Sequence, residues 1–471
     1  MESAVQEAYF LSVSKDSRRD LAVKWLWLSV LALLGAGIFS VLLVLARTPV
    51  IGEILPYADF FHTALVIHVD LSVLVWILAF SGVLWCLAAR EGYDGLNLGV
   101  FYLIAFATSL IAISGFLPDA NPVMSNYIPV LDNPVFMAGL VLFGVGIGTQ
   151  VLLAMTITLP VGPAMSKPGV IRFGLNCAAI SVLMALLAFG WSWWELPVGL
   201  TPPVYFEYLF WGGGHVLQYT YTLLMMVCWL WLVSAARIRM IMSERVVLLV
   251  FVAGLVSVFI APIIYYNYDV TEAGHRQMFT WLMSFGGSLA TFPLGLAVYL
   301  GLVQHKPADP VERTAHSALM TSLLLFGCGG VIGFLIEGND VTVPAHYHGC
   351  IVGVTLALMG AAYDILPRLG YSRVEFKWAN VQLWIYGTGQ FLHILGLVWS
   401  GGYGVQRKVA GAAQGLDSLE QIAGMGLMGF GGLLSAIGGF LFVVIALRAL
   451  TGASIPPNTA GINVVPQQTS R

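Results

Sequence analysis

Twelve long apolar runs restrict the fold of this chain more than any other feature. They cover residues 25–47, 62–89, 96–117, 133–160, 171–197, 207–235, 246–266, 278–304, 315–336, 344–367, 379–400 and 424–450. Each is close to the roughly 20 apolar residues that a helix needs to cross a bilayer. Only 10% of the 471 residues are charged, which is too few to coat a water-soluble protein of this length. The sequence therefore predicts an all-α, polytopic transmembrane bundle of about twelve helices.

Lysine and arginine are distributed unevenly between the two sides of this predicted bundle. Only Arg47, Arg276, Arg407 and Lys408 fall on one side, and the remaining lysines and arginines that flank the spans fall on the other. The positive-inside rule then places both termini in the cytoplasm, and we expect a bacterial-type inner membrane. Residues 1–24 are predicted to be a cytoplasmic segment, residues 25–451 the membrane domain and residues 452–471 a flexible tail. The net charge of -3 gives no reason to expect a nucleic-acid partner.

Six of the nine histidines are predicted to lie at one depth, in the outer part of the bilayer. They come from five different segments and are His68, His215, His275, His346, His348 and His393. An imidazole inside a membrane is costly unless it has a partner, and independent core histidines would be scattered over both leaflets. The pattern favours a clustered metal or haem site over a set of separately hydrogen-bonded histidines.

The most informative pair is His346 and His348, in the run Pro344-Ala345-His346-Tyr347-His348-Gly349. At about 100° per residue, two positions two residues apart on a helix point about 200° apart. The two imidazoles therefore cannot readily share one metal ion. They are suited to two separate haems on opposite sides of the tenth span, because imidazole is a common axial ligand of haem iron.

With these residues in view, the chain resembles subunit I of the haem-copper oxidase superfamily from span two to span twelve. The family has twelve core helices, a low-spin haem, a high-spin haem and a copper ion called CuB. The resemblance implies that His68 and His348 bind the low-spin haem iron, and that His346 is the proximal ligand of the high-spin haem iron. This assignment agrees with the opposite-face geometry of the tenth span.

Span six resembles the family segment in which a CuB histidine is followed four residues later by a tyrosine. The resemblance implies that His215 is a CuB ligand and that Tyr219 supplies a proton and an electron to bound oxygen, since residues at i and i+4 share a helix face. The segment Gly274-His275-Arg276 resembles the family's double-histidine segment with its second histidine lost. CuB would then be held by His215, His275 and an oxygen ligand such as Glu272, or the second metal is a different one, or it is absent.

Further segments extend the resemblance and also depart from it. Arg407 and Lys408 resemble the basic pair that holds the haem propionates, and two cations on an otherwise cation-poor face suit anionic carboxylates; a solvated charge pair is the alternative. His393 matches no ligand of the family and is a candidate haem neighbour. Ala297 stands where relatives carry a proton-channel lysine, which argues against proton pumping by that route.

The resemblance implies a terminal respiratory oxidoreductase that passes electrons through the low-spin haem to the high-spin centre and reduces a diatomic gas. Reduction of O2 to water is favoured because of Tyr219, and reduction of NO to N2O is the alternative. A separate subunit carrying copper or cytochrome c is the expected electron donor, since the chain has neither a CuA cysteine pair nor a haem-attachment motif. A twelve-helix secondary transporter is a remote alternative, because no related halves are visible.

Overall fold

The structure is a computed structural model that describes residues 8–46, 60–92, 94–118, 120–159, 166–371, 374–407 and 415–452. The long helices follow the predicted spans. They are α1 Ser17–Ala46, α2 Phe60–Ala88, α3 Asp94–Ser114, α4 Pro134–Ile157, α5 Lys167–Glu195, α6 Pro202–Ala235, α7 Glu244–Asn267, α8 Ala273–Gln304, α9 Pro310–Gly333, α10 Thr342–Arg368, α11 Phe376–Gly401 and α12 Leu419–Thr451.

Eleven of these helices are long and apolar enough to cross a membrane. The other one, α11, is a 26-residue helix with polar residues such as Gln382, Gln390 and His393 along its length. The predicted fold class, a polytopic helical membrane bundle, is confirmed. The predicted tail lies beyond the described residues, except for its first residue.

Two helices change their pitch along their length. The α-helical start of α2 ends at Val69, and a π-helical turn then covers Asp70–Val75; α8 contains a second one at Leu282–Gly287. Such wide turns are uncommon and are frequently found at functional sites. The turn in α2 begins two residues after His68, whose carbonyl accepts a hydrogen bond of 2.6 Å from the Ser72 hydroxyl.

A short hairpin fills the connection between α3 and α4. Its strands β1, Asn121–Val123, and β2, Val130–Asp132, pair antiparallel. Asn133 then caps α4, because its side chain accepts hydrogen bonds from the backbone of Val135 and Phe136. The loop between the two strands contains Tyr127, which the sequence did not single out.

Helices α11 and α12 pack with their backbones in direct contact, at glycines spaced seven residues apart. Gly389 and Gly396 on α11 face Gly431 and Gly424 on α12. A Cβ on Gly389, Gly396 or Gly431 would overlap backbone atoms of the opposite helix, and one on Gly424 would overlap the Ser400 hydroxyl. Small residues allow this close approach between membrane helices. The packing brings His393 near the Met428 carbonyl, with 2.9 Å between Nδ1 and the oxygen.

Gly396→Ala should lower the stability of the bundle by about 1–3 kcal/mol, the usual cost of overpacking. A methyl group there would meet the backbone of Met428 and Gly424. Gly426→Ala is the matched control on α12, since a Cβ at that position meets nothing within 4 Å. Thermal unfolding of both variants in the same detergent measures the effect; equal midpoints for the two would contradict the packing argument.

Candidate haem site

One large cavity inside the bundle collects most of the predicted site residues. Its volume is about 2050 Å³, whereas the pocket for a drug-sized ligand is usually about 300–1,000 Å³. Five of the six histidines predicted at one depth line it: His68, His215, His346, His348 and His393. The cavity therefore has room for two large planar cofactors and offers nitrogen ligands from four helices.

The five cavity histidines share one orientation, in which Nδ1 is hydrogen-bonded to a backbone carbonyl. The pairs are His68 with Ala36 at 2.8 Å, His215 with Trp211 at 2.8 Å, His346 with Gly329 at 2.7 Å, His348 with Pro344 at 3.0 Å and His393 with Met428 at 2.9 Å. A neutral imidazole that donates through Nδ1 presents the lone pair of Nε2. Histidine ligands of metals are commonly fixed in this way by a second hydrogen bond.

His346 and His348 turn toward different neighbours, as the spacing on α10 predicts. The His346 ring lies against α9, where it bonds the Gly329 carbonyl and occupies the space that a Cβ on Gly333 would need. The His348 ring lies against α11, with 4.9 Å between its centroid and that of His393. The two imidazoles therefore serve different parts of the cavity.

His215 differs from the other four because its Nε2 also has a protein partner. The Tyr127 hydroxyl lies 2.8 Å from His215 Nε2, and the ring centroids are 4.7 Å apart. Burial raises the pKa of Tyr127, and the nearby Glu207 carboxylate raises it further. The hydroxyl therefore stays protonated at neutral pH and donates to the imidazole.

The glycine run before His215 explains how Tyr127 reaches the helix. A Cβ on Gly212 would overlap the Tyr265 hydroxyl, one on Gly213 the Phe189 ring, and one on Gly214 the Tyr127 ring. Three aromatic rings thus occupy the space beside three consecutive glycines. The run Gly212-Gly213-Gly214 is a sequence signal of close packing on α6, but it does not identify Tyr127 as the partner.

His275, Glu272 and Tyr219 lie outside the lining of the cavity. His275 is fully buried at the start of α8, where its ring contacts Tyr265 and Phe279 and neither ring nitrogen has a hydrogen-bond partner among the residues that the structure describes. Glu272 is exposed just before α8 begins. The Tyr219 hydroxyl donates a hydrogen bond of 2.6 Å to the Leu282 carbonyl of α8.

No three His, Cys, Asp or Glu side chains come together as a metal-binding group within the described part of the chain. The predicted set of His215, His275 and Glu272 is thus not assembled here. The described residues fit haem through free Nε2 atoms, and among them no three donor side chains are assembled for a second metal ion.

Of the predicted basic pair, Arg407 lines the cavity. Its Nε donates a hydrogen bond to the Asn339 side chain, in the connection before α10. Lys408 lies outside the described residues. A guanidinium at the cavity wall is suited to an anionic carboxylate.

Comparison with known proteins identifies the family of the chain. The family model described as cytochrome c and quinol oxidase polypeptide I matches residues 20–441. The chain belongs to this family. Its members form the haem-copper oxidase superfamily, so the chain is assigned to the oxidoreductases, and the resemblance inferred from the histidine pattern is confirmed.

The curated relatives of this family member carry no functional description. The uncharacterized protein RP382 of Rickettsia prowazekii is 30% identical over 505 residues, which cover 93% of this chain and 98% of that protein. An uncharacterized protein of Aquifex aeolicus is 29% identical over 74% of this chain and 85% of its own length. The solved structure of a haem-copper terminal oxidase dimer matches with a TM-score of 0.70 and 16% identity, over 95% of this chain and 86% of that one. This last match supports the fold alone.

Proposed function

We propose that this protein is the catalytic subunit of a membrane-bound terminal oxidoreductase that reduces a diatomic gas, with O2 as the favoured substrate and water as the product. The observation that carries the proposal is the set of four imidazoles, His68, His346, His348 and His393, that present Nε2 to one cavity of about 2050 Å³. Such a set suits axial ligation of haem iron better than any other chemistry available to these residues.

Within this proposal each residue has a separate task. His68 and His348 hold the low-spin haem, and His346 holds the high-spin haem on the other side of α10. Arg407 and Lys408 bind the haem propionates, and His393 packs beside His348 as a haem neighbour. Bound haems would supply the electron path and the iron atom at which the gas is reduced.

The backbone carbonyls also contribute to this arrangement. Each fixes the ring plane and the tautomer of its histidine, and a hydrogen-bonded imidazole is a more basic ligand. The carbonyls of Ala36, Gly329 and Met428 come from helices other than that of their histidine. The packing of α1, α9 and α12 therefore sets the orientation of the ligands.

The choice of O2 is supported by the family description, which concerns oxidases. Reduction of O2 to water consumes four electrons, which a separate donor subunit carrying copper or cytochrome c would deliver, and four protons, which would come from the surrounding water. Reduction of NO to N2O is the second candidate. It is favoured by the lack of an assembled three-residue metal group among the described residues and by Ala297 at the position of the channel lysine.

We further propose a membrane and an orientation for the protein, both inferred from the distribution of its lysine and arginine residues. The excess of lysine and arginine on one side of the spans places both termini in the cytoplasm, with the protein in a bacterial-type inner membrane. The haem cavity then lies toward the outer side, where an electron donor on the membrane surface has access to it.

The proposed function is tested by absorption spectra of the purified protein, oxidised and reduced with dithionite. We expect about two haems per chain by pyridine haemochrome, of which one binds carbon monoxide and the other does not. Oxygen-electrode and nitric-oxide-electrode assays with an artificial electron donor then decide the substrate. A flat visible region would contradict the proposal and favour a transporter, and faster consumption of NO than of O2 would favour the second candidate.

A further inference from the structure

His215 is hydrogen-bonded at both ring nitrogens, which sets it apart from the four other cavity histidines. Nδ1 donates to the Trp211 carbonyl at 2.8 Å, so the lone pair lies on Nε2, and the Tyr127 hydroxyl occupies that lone pair at 2.8 Å. A metal ion binds a neutral imidazole through the same lone pair. Tyr127 would therefore have to leave before His215 could act as a metal ligand.

The position of Tyr127 is fixed by several independent contacts. Its ring fills the space beside Gly214 and meets the Trp211 ring edge to face at 5.7 Å between centroids. The preceding residue, Asn126, is tied to α6, because both its backbone and its side-chain nitrogen donate to the Glu207 carboxylate. The hairpin loop is thus attached to α6 at Glu207 and Gly214 as well as at His215, and displacing Tyr127 would disrupt that attachment.

His275, the other histidine predicted to bind the second metal, lies outside the lining of the cavity that His215 faces. The His275 ring lies between Tyr265 and Phe279, and the Phe279 ring also lies against His215 at 5.9 Å between centroids. Tyr265 is itself held by a 2.8 Å hydrogen bond between its hydroxyl and that of Ser192. The Phe279 ring therefore contacts both imidazoles, and among the described residues no third His, Cys, Asp or Glu side chain joins them in a metal-binding group.

We propose that the Tyr127–His215 pair takes the place of the second metal in this protein, and that the Tyr127 hydroxyl is the hydrogen-bond donor to a diatomic gas bound in the cavity. This inference rests on the proposed function. Both residues line the same cavity as His346. A hydroxyl turns about its C–O bond, so it can redirect its proton from His215 Nε2 to a polar ligand without moving the ring. Tyr127 is thus a further catalytic residue of the gas-reducing site.

The first test is the metal content of the full-length protein, purified from cells grown with added copper and dialysed against a chelator. We expect total iron to equal haem iron, and copper to be below about one tenth of the haem content. Stoichiometric copper or non-haem iron that survives dialysis would overturn the inference while leaving the haem assignment intact. Absence of haem would instead refute the proposed function, so the two failures are distinguishable.

The second test compares Tyr127→Phe with the wild type by the stretching frequency of carbon monoxide bound to the reduced protein. Loss of the hydroxyl should shift this frequency and lower gas turnover about 100-fold, as loss of one donor at a reacting centre typically does. Tyr102→Phe is the matched control, because Tyr102 lies on α3 with 57% of its surface exposed. An unchanged frequency in Tyr127→Phe with full haem content would overturn the role of Tyr127. If that variant does not fold, the metal content of the unsubstituted protein still decides the inference.

Discussion

Replacing His346 with alanine is expected to abolish gas reduction and to leave a single haem in the protein. His346 bonds Gly329 on α9 and presents Nε2 to the cavity, while His348 faces α11. Because the two side chains serve different parts of the cavity, loss of one should remove only the high-spin haem. Pyridine haemochrome analysis should fall from about two haems per chain to about one, and the carbon monoxide difference spectrum should disappear.

His316→Ala is the control for this experiment. His316 lies on α9 near the opposite end, where its Nε2 is 3.3 Å from the Leu302 carbonyl, and it does not line the cavity. Its replacement should leave both haems and the turnover unchanged. If His346→Ala keeps two haems and binds carbon monoxide normally, the assignment of the high-spin ligand fails. If it loses both haems together, the two histidines do not serve separate cofactors.

His68→Ala is expected to remove the low-spin haem and to stop turnover with a physiological donor. The haem that remains should still bind carbon monoxide, because His346 is untouched. His348→Ala should give the same spectrum, since both residues are assigned to one iron. A direct chemical reductant should still reduce the remaining haem, which separates loss of the electron path from loss of the catalytic centre.

His393→Ala tests which of two neighbouring histidines, His348 or His393, binds the low-spin haem. The rings of His348 and His393 lie 4.9 Å apart, and both have a free Nε2 facing the cavity. With His348 as the ligand, His393→Ala should retain both haems and change only the position of the low-spin band. Loss of the low-spin haem in His393→Ala, with its retention in His348→Ala, would transfer the assignment to His393.

The double histidine of α10 illustrates what a local pattern can predict. A spacing of two residues fixes the angle between the side chains through the helical repeat alone, and the structure turns His346 and His348 toward different helices as expected. The order of the spans also predicts that these histidines cluster. Five of the six predicted at one depth do line one cavity.

Tyr219 shows the limit of the same reasoning. Its spacing from His215 predicts one helix face, and yet its hydroxyl reaches the Leu282 carbonyl rather than the cavity. Leu282 opens the π-helical turn of α8, which no pattern within α6 can reveal. The partner of a side chain is thus decided by the neighbouring helix.

The sequence by itself determined the number of long helices, the different directions of His346 and His348 and the family of the protein, because hydropathy and helical spacing are properties of short segments. Only the tertiary structure decided that Tyr127 meets His215 across 88 residues of sequence, and that His275 is enclosed by aromatic rings. These contacts depend on where the hairpin before α4 and the ends of α7 and α8 pack against α6. The free energy of that packing is spread over many distant side chains, so no local pattern records it.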